Sequence, residues 1–178
     1  MSETSAKNEG IVRLRPGKEK PVLNGHPWIF SGAIARLEGE PEDGDMLLVA
    51  DAGGRPLARG YLNRRSQIAV RIVTWDLDEP IDAAFWRRRI VAAAAGRRLA
   101  GVADRTDAYR LVNAESDGLP GLIVDRYGDY LVVQFLTLGI ERVADTILDA
   151  LMELLAPAGI YERDDVAVRQ KEGLLQQA

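Results

Sequence analysis

Apolar and basic residues alternate through Ile11–Arg15 (IVRLR), as they would along a half-buried strand, and Pro16-Gly17 ends the run with a turn dipeptide. Asn24-Gly25 and His26-Pro27 mark a tight turn before the apolar anchors Trp28, Ile29 and Phe30. Such a run is expected in a core, with base stacking by Trp28 and Phe30 as the less common use. Glu38–Asp45 reads as an acidic loop. Met46–Ala50 and Pro56–Leu62 read as strands flanking a turn at Asp51–Arg55, and Gln67–Trp75, rich in Ile and Val, is the strongest strand of this half. Short strands, frequent turns and little helix predict a small β-barrel up to about Asp78.

Composition shifts at Asp76–Pro80 from β-branched to alanine- and arginine-rich. Asp82–Ala100 is expected to be helical, capped by Asp82, with Phe85, Trp86, Ile90, Ala93 and Ala94 on one face. Arg110–Asp129 carries three turn signals and predicts a hairpin. Tyr130–Leu136 follows as a strand, Gly139–Ala156 as one amphipathic helix, and Ile160–Arg163 as a further strand. Met1–Gly10 reads as a polar, mobile tail, and the segment up to Ala178 shows no evident last element.

Composition narrows the chemistry. The 178 residues carry a net charge of −4, so a nucleic-acid site must be a local basic patch on an acidic chain. With no cysteine and one histidine, His26, disulfides and thiol chemistry are excluded and a His/Cys zinc site nearly so. No apolar run approaches the roughly 20 residues a membrane span needs. The expected setting is the cytoplasm, without membrane or metal.

Glu115, Asp117 and Asp125 look at first like an acid cluster. Their neighbours Ser116, Gly118, Pro120-Gly121 and Gly128 are turn formers, so these acids are expected to build a hairpin. The stretch Ala52–Trp75 contains no acid but holds Arg55, Arg59, Arg64, Arg65 and Arg71. Combined with Arg13, Arg15, Lys18 and Lys20, it predicts a positive face on the barrel. Lys18, Lys20, Arg64, Arg65 and Arg71 are the expected phosphate ligands, and His26 is a further candidate near the same turn. Arg87–Arg89 with Arg97 and Arg98 give the first long helix a basic side, expected to be solvated. No G-x-G-x-x-G, P-loop or H-E-x-x-H motif is present.

Asn24-Gly25-His26-Pro27-Trp28-Ile29-Phe30-Ser31-Gly32-Ala33-Ile34 resembles the opening of a PUA domain in the S-adenosylmethionine-dependent large-subunit rRNA cytosine-5 methyltransferases. Arg110–Val112, Gly118–Asp129, Ile160–Asp165, Val168-Arg169 and Glu172–Leu174 resemble the middle domain of the same family. The resemblance implies an α+β chain: tail 1–10, a PUA-like RNA-binding pseudo-barrel over 11–78, and a mixed α/β connector over 79–178, incomplete at its C-terminal edge. It implies an RNA partner, rRNA, with S-adenosylmethionine bound by a catalytic domain that this chain lacks. No catalytic or cofactor-binding residue is therefore carried over, and the chain alone is expected to be inactive. The alternative expectation is a truncated relative acting as an interaction or homodimerisation module through an unpaired sheet edge.

Overall fold

The computed structural model describes residues 10–176. The expected tail thus lies, apart from Gly10, outside the described residues. The chain divides into two compact units, one ending at Leu77 and the other beginning at Asp78.

The first unit contains β1 (Gly10–Leu14), α1 (Lys20–Leu23), β2 (Trp28–Phe30), a 3-10 turn (Ser31–Ala33), β3 (Ile34–Glu38), β4 (Met46–Ala50), β5 (Pro56–Leu62) and β6 (Ile68–Thr74). They form one sheet in the order β2-β6-β5-β4-β1-β3, antiparallel except for the β1–β4 pair. Its two edge strands, β2 and β3, are consecutive in the chain and joined only by the 3-10 turn. Three residues span about 10 Å at most, so the sheet must curl until its edges nearly meet. Irregularities in register at Arg13/Leu14, Ile29/Phe30, Val49/Ala50 and Arg59/Gly60 supply the bending. At the last of these, a Cβ on Gly60 would lie 2.3 Å from the Arg71 carbonyl oxygen. Only glycine lets β5 and β6 approach so closely. Val12, Leu14, Leu47, Val49, Val70 and Ile72 fill the curl. Each such side chain, fully buried, contributes about 1.5–3 kcal/mol.

The second unit contains α2 (Ala83–Leu99), β7 (Ala108–Asn113), a 3-10 turn (Ala114–Asp117), β8 (Leu122–Tyr127), β9 (Tyr130–Phe135), α3 (Leu138–Glu141), α4 (Ala144–Leu155), β10 (Gly159–Glu162) and α5 (Val168–Glu172). Its sheet runs β10-β9-β8-β7, with β10 parallel to β9 and the other pairs antiparallel. The parallel pair requires a crossover, which α3 and α4 provide. Asp82 caps α2 by accepting the Phe85 N–H at 2.9 Å, and the expected face of Phe85, Trp86, Ile90, Ala93 and Ala94 is buried. Among the described residues, no helix is long and apolar enough to cross a membrane.

Three expectations need correction. The single helix expected over Gly139–Ala156 is two, α3 and α4, broken at Arg142-Val143. The break follows Glu141, whose carboxylate is held by Arg169 from α5, a long-range pair that leaves no trace in local periodicity. The segment without an evident element contains α5. Glu38 closes a strand, β3, before the acidic loop begins.

Candidate nucleic-acid interface

The site grows from three local closures in the first unit. Pro16-Gly17 folds into a turn in which the Lys18 N–H donates to the Arg15 carbonyl at 3.0 Å. α1 is a single turn, stopped by two backbone bonds: His26 N–H to Pro21 O at 2.9 Å and Gly25 N–H to Val22 O at 3.0 Å. This is a Schellman closure, which needs a left-handed residue after the helix, and Gly25 supplies it with φ at +79°. Asn24-Gly25-His26 is thus a helix stop. The Trp75 indole N–H also donates to Val22 O, at 2.8 Å, tying α1 to the end of β6.

His26 then turns back on the strand that follows. Its Nδ1 accepts the Trp28 N–H at 3.2 Å, which in the neutral ring leaves the proton on Nε2. β2 alternates: Ile29 enters the core at 2% exposure, while Trp28 and Phe30 face outward at 36% and 48%. This corrects the expectation that the Trp-Ile-Phe run is core. His26 meets Trp28 edge-on at 5.8 Å, and Trp28 meets Phe30 edge-on at 6.4 Å. Lys18, His26, Trp28 and Phe30, above Pro21 and Val22, line a hollow of about 460 Å³. Exposed aromatic surfaces beside a lysine can take an unstacked base and a phosphate.

The expected phosphate ligands do not all converge here. Lys18 and His26 line the hollow, and Lys20 is exposed on α1. Arg64 pairs with Asp43, its Nε and backbone N–H both donating to Oδ1 at 2.8 and 3.0 Å. It edges a separate, smaller hollow of about 220 Å³ with Val12, Ile34 and Leu37. Arg65 is exposed in the same turn as Arg64. Arg71 is only 7% exposed and does not line the main hollow; its guanidinium carbon sits 5.8 Å from the centre of the Trp28 ring.

Much of the remaining positive charge is neutralised locally. Arg13 grips Glu38 through two nitrogens at 2.8 and 3.0 Å, and Arg36 joins the same carboxylate. The hydrogen bond from Arg13, then that from Arg36, holds the Glu38 carboxyl down at about 2. Arg55 pairs with Asp51. On α2, Arg88 and Arg89 reach Glu79, Arg87 reaches Glu153 and Arg97 reaches Asp117. The helix has ion pairs where the sequence suggests a bare basic side.

The acid cluster is scaffold. Asp117 accepts the Asn113 N–H at 2.6 Å and pairs with Arg97, closing the turn between β7 and β8. Asp125 holds Arg110 across the β7–β8 pair at 2.9 and 3.1 Å. A second polar cluster lies where the motifs Ile160–Asp165 and Val168-Arg169 meet. The guanidinium of Arg169, fully buried, donates to the carbonyls of Phe135 and Leu175 and to Glu141, and lies 2.7 Å from Asp164. Asp164 in turn accepts the Phe135 N–H at 2.8 Å. Burial raises the Asp164 carboxyl, and burial followed by its hydrogen bond to Asp164 raises Glu162. Charged residues spread from Glu141 to Arg169 gave no sign of this knot beyond their place in the motifs.

Known proteins frame this geometry. The profile of the PUA-like domain matches residues 12–75. Ribosomal RNA large subunit methyltransferase I of Klebsiella pneumoniae strain 342 is 46% identical over 161 residues, which cover 90% of this chain and 40% of that protein. The namesake from Salmonella arizonae is 43% identical over 174 residues, covering 98% and 43%. The chain therefore carries a PUA-like domain and is homologous to these methyltransferases, and it spans about 40% of their length. Among solved structures, a proposed SAM-dependent methyltransferase from Streptococcus mutans superposes with a TM-score of 0.75 at 18% identity, over 86% of this chain and 40% of that one. A proposed methyltransferase solved with SAH matches to the same extent. At that identity the likeness speaks for the mixed α/β fold alone.

Proposed function

We propose that this chain is the RNA-docking portion of a SAM-dependent methyltransferase that modifies cytosine C5 in large-subunit rRNA in the cytoplasm. The observation that carries the reading is the hollow in which His26, Trp28 and Phe30 stand exposed beside Lys18. Such an apolar run is normally turned inward, and here the two-residue alternation of β2 presents two of its three apolar residues outward. The PUA-like match and the homology to rRNA methyltransferases support RNA as the ligand.

In this reading, residues 11–78 grip the RNA. A splayed base lies against Trp28 or Phe30, Nε2 of His26 donates to a base edge or phosphate, and Lys18 and Lys20 neutralise the backbone. Arg64 and Arg65 extend the positive track. Residues 79–178 act as a connector. Methyl transfer belongs to the length of the relatives that this chain does not span, which is where SAM would be held. Attack on pyrimidine C6 to activate C5 uses a thiolate, and this chain has no cysteine to supply one.

Fluorescence anisotropy with a large-subunit rRNA fragment tests the reading. The full chain is expected to bind with salt-dependent affinity and to transfer no methyl group. Trp28→Ala and Phe30→Ala should each cost about 1–3 kcal/mol of binding. Replacing Lys18 and Lys20 by alanine should flatten the salt dependence. Unchanged binding in both sets would remove this site from the reading, and unchanged binding in Arg64→Ala/Arg65→Ala would remove the extended track.

One observation favours a second reading, an interaction module. Among the described residues β10 has a sheet neighbour on one side only. Edge pairing predicts a dimer in size-exclusion chromatography that RNA neither requires nor changes.

A further inference from the structure

Arg71 stands apart from the other described basic residues of the first unit. It lies within β6 between Val70 and Ile72, both buried, and is itself nearly buried. A charged side chain in such a strand needs a local use for its charge. Register places it directly across from Trp28 on the β2–β6 pair, and its guanidinium carbon lies 5.8 Å from the centre of the indole. The same indole walls the hollow, whereas Arg71 does not reach it.

We propose that Arg71 is a positioning residue: its guanidinium packs against Trp28 and fixes the indole as a wall of the hollow, without itself touching RNA. The inference rests on the hollow being the RNA site. Contacts from several sides then hold the indole. Arg71 packs against the ring, His26 and Phe30 meet it edge-on, and His26 Nδ1 holds the strand backbone at the Trp28 N–H. Beneath Arg71, its own carbonyl lies so near Gly60 that β6 has little freedom to shift at this point. An ordered aromatic wall lowers the entropy lost when a base stacks on it, so a residue outside the hollow can govern affinity. Arginine suits the role better than lysine, because its planar, weakly hydrated cation can lie flat against an aromatic ring.

A phosphate ligand and a positioning residue differ in how their loss responds to salt. Each phosphate contact to a single strand contributes about 0.7 to the slope of log K against log salt, and a packing contact contributes nothing to it. The test uses the full chain and a short fluorescein-labelled single-stranded RNA of mixed sequence, with Arg71→Lys, Arg71→Met and Trp28→Ala. Both Arg71 variants are expected to bind roughly three- to thirtyfold more weakly with the parental salt slope. Lysine, which keeps the charge, should not restore affinity. In protein labelled with 5-fluorotryptophan, the three indoles report separately by 19F NMR. The Trp28 resonance, assigned by its loss in Trp28→Ala, should shift or broaden in Arg71→Lys while those of Trp75 and Trp86 hold.

A slope reduced by one phosphate, or full affinity in Arg71→Lys, overturns the proposal. So does an unmoved Trp28 resonance, which decides the question even where Arg71→Met fails to fold. If Trp28→Ala binds as the parent does, the hollow itself is the wrong site, a failure distinguishable from the others because it appears without any change at Arg71.

Discussion

A single methyl group at position 60 would meet the Arg71 carbonyl oxygen at 2.3 Å, and both partners are backbone-bound, so neither can rotate away. Gly60→Ala is therefore expected to destabilise the first unit toward the upper end of the about 1–3 kcal/mol seen for overpacking, measured by urea unfolding. It should also disturb the indole across the sheet from Arg71. At this scale the sequence is partly readable. The turns that bring Lys18 and His26 to the hollow were readable because the turn chemistry at Pro16-Gly17 and Asn24-Gly25 is local. The outward pose of Trp28 and Phe30 was not. Three consecutive apolar residues conceal a period of two, since the alternation of β2 is carried by direction and not by residue type. Arg71 looked like any member of an arginine-rich stretch; only its place inside an apolar strand hinted at a partner within the fold.

Elements whose signals are local were legible, and those shaped by distant contacts were not. α2 follows from its cap and its periodicity, and the β8–β9 hairpin from Gly128-Asp129. The break between α3 and α4 depends on Glu141 meeting Arg169, which no window of helical length contains. The knot around Arg169 has its own pH signature. Glu141 reaches it from α3, Glu162 from β10, Asp164 from the following loop and Arg169 from α5, with buried Glu172 on the same short helix and the exposed Arg163–Asp165 pair outside. Asp164 and Glu162 are raised above their ordinary values, so the folded state binds protons that the unfolded chain has released. Their contribution is greatest below the ordinary values of 3.8 and 4.5 and declines as pH rises through the folded-state values. Glu162→Gln should remove the Glu162 share of that decline and leave the second unit at least as stable at neutral pH. Asp164→Ala instead leaves a buried guanidinium undercompensated and should cost about 3–5 kcal/mol in thermal or urea unfolding. Glu38, held down by Arg13 and Arg36, runs the other way: its contribution is complete above 4.5 and lost as pH falls toward about 2.

For the whole molecule, most strands were readable, though β2 and β3 were not, and strand order was not. β1 lies between β3 and β4, antiparallel to one and parallel to the other, and β2 pairs with β6, the last strand of its unit. Such pairings follow from how a curled sheet shares its core, and no segment of sequence states them. Each unit has its own buried interior, with Phe85, Ile90, Val124, Phe135, Ile147 and Leu151 in the second. A protein limited to residues 78–176 is accordingly expected to unfold cooperatively, seen by circular dichroism, and to show none of the RNA affinity that Trp28→Ala weakens in the full chain. RNA binding retained by that piece would move the interface out of the first unit. The acidic net charge is consistent with this division, because Arg87, Arg88, Arg89 and Arg97 of α2 pair with Glu153, Glu79 and Asp117.

The pairing of β2 with β6 sets a timetable for synthesis. As the chain leaves the ribosome, β1, α1 and β2 emerge early, but β2 has no strand to pair with until Ile68–Thr74 is out. The motif that lines the hollow is thus made well before it can be ordered, because the arginine that faces Trp28 arrives with the closing strand. A nascent chain halted before β6 would expose Trp28 and Phe30 on an unfinished edge, a target for chaperones and a hazard for aggregation. The hollow is complete only once the strand that closes the unit has arrived.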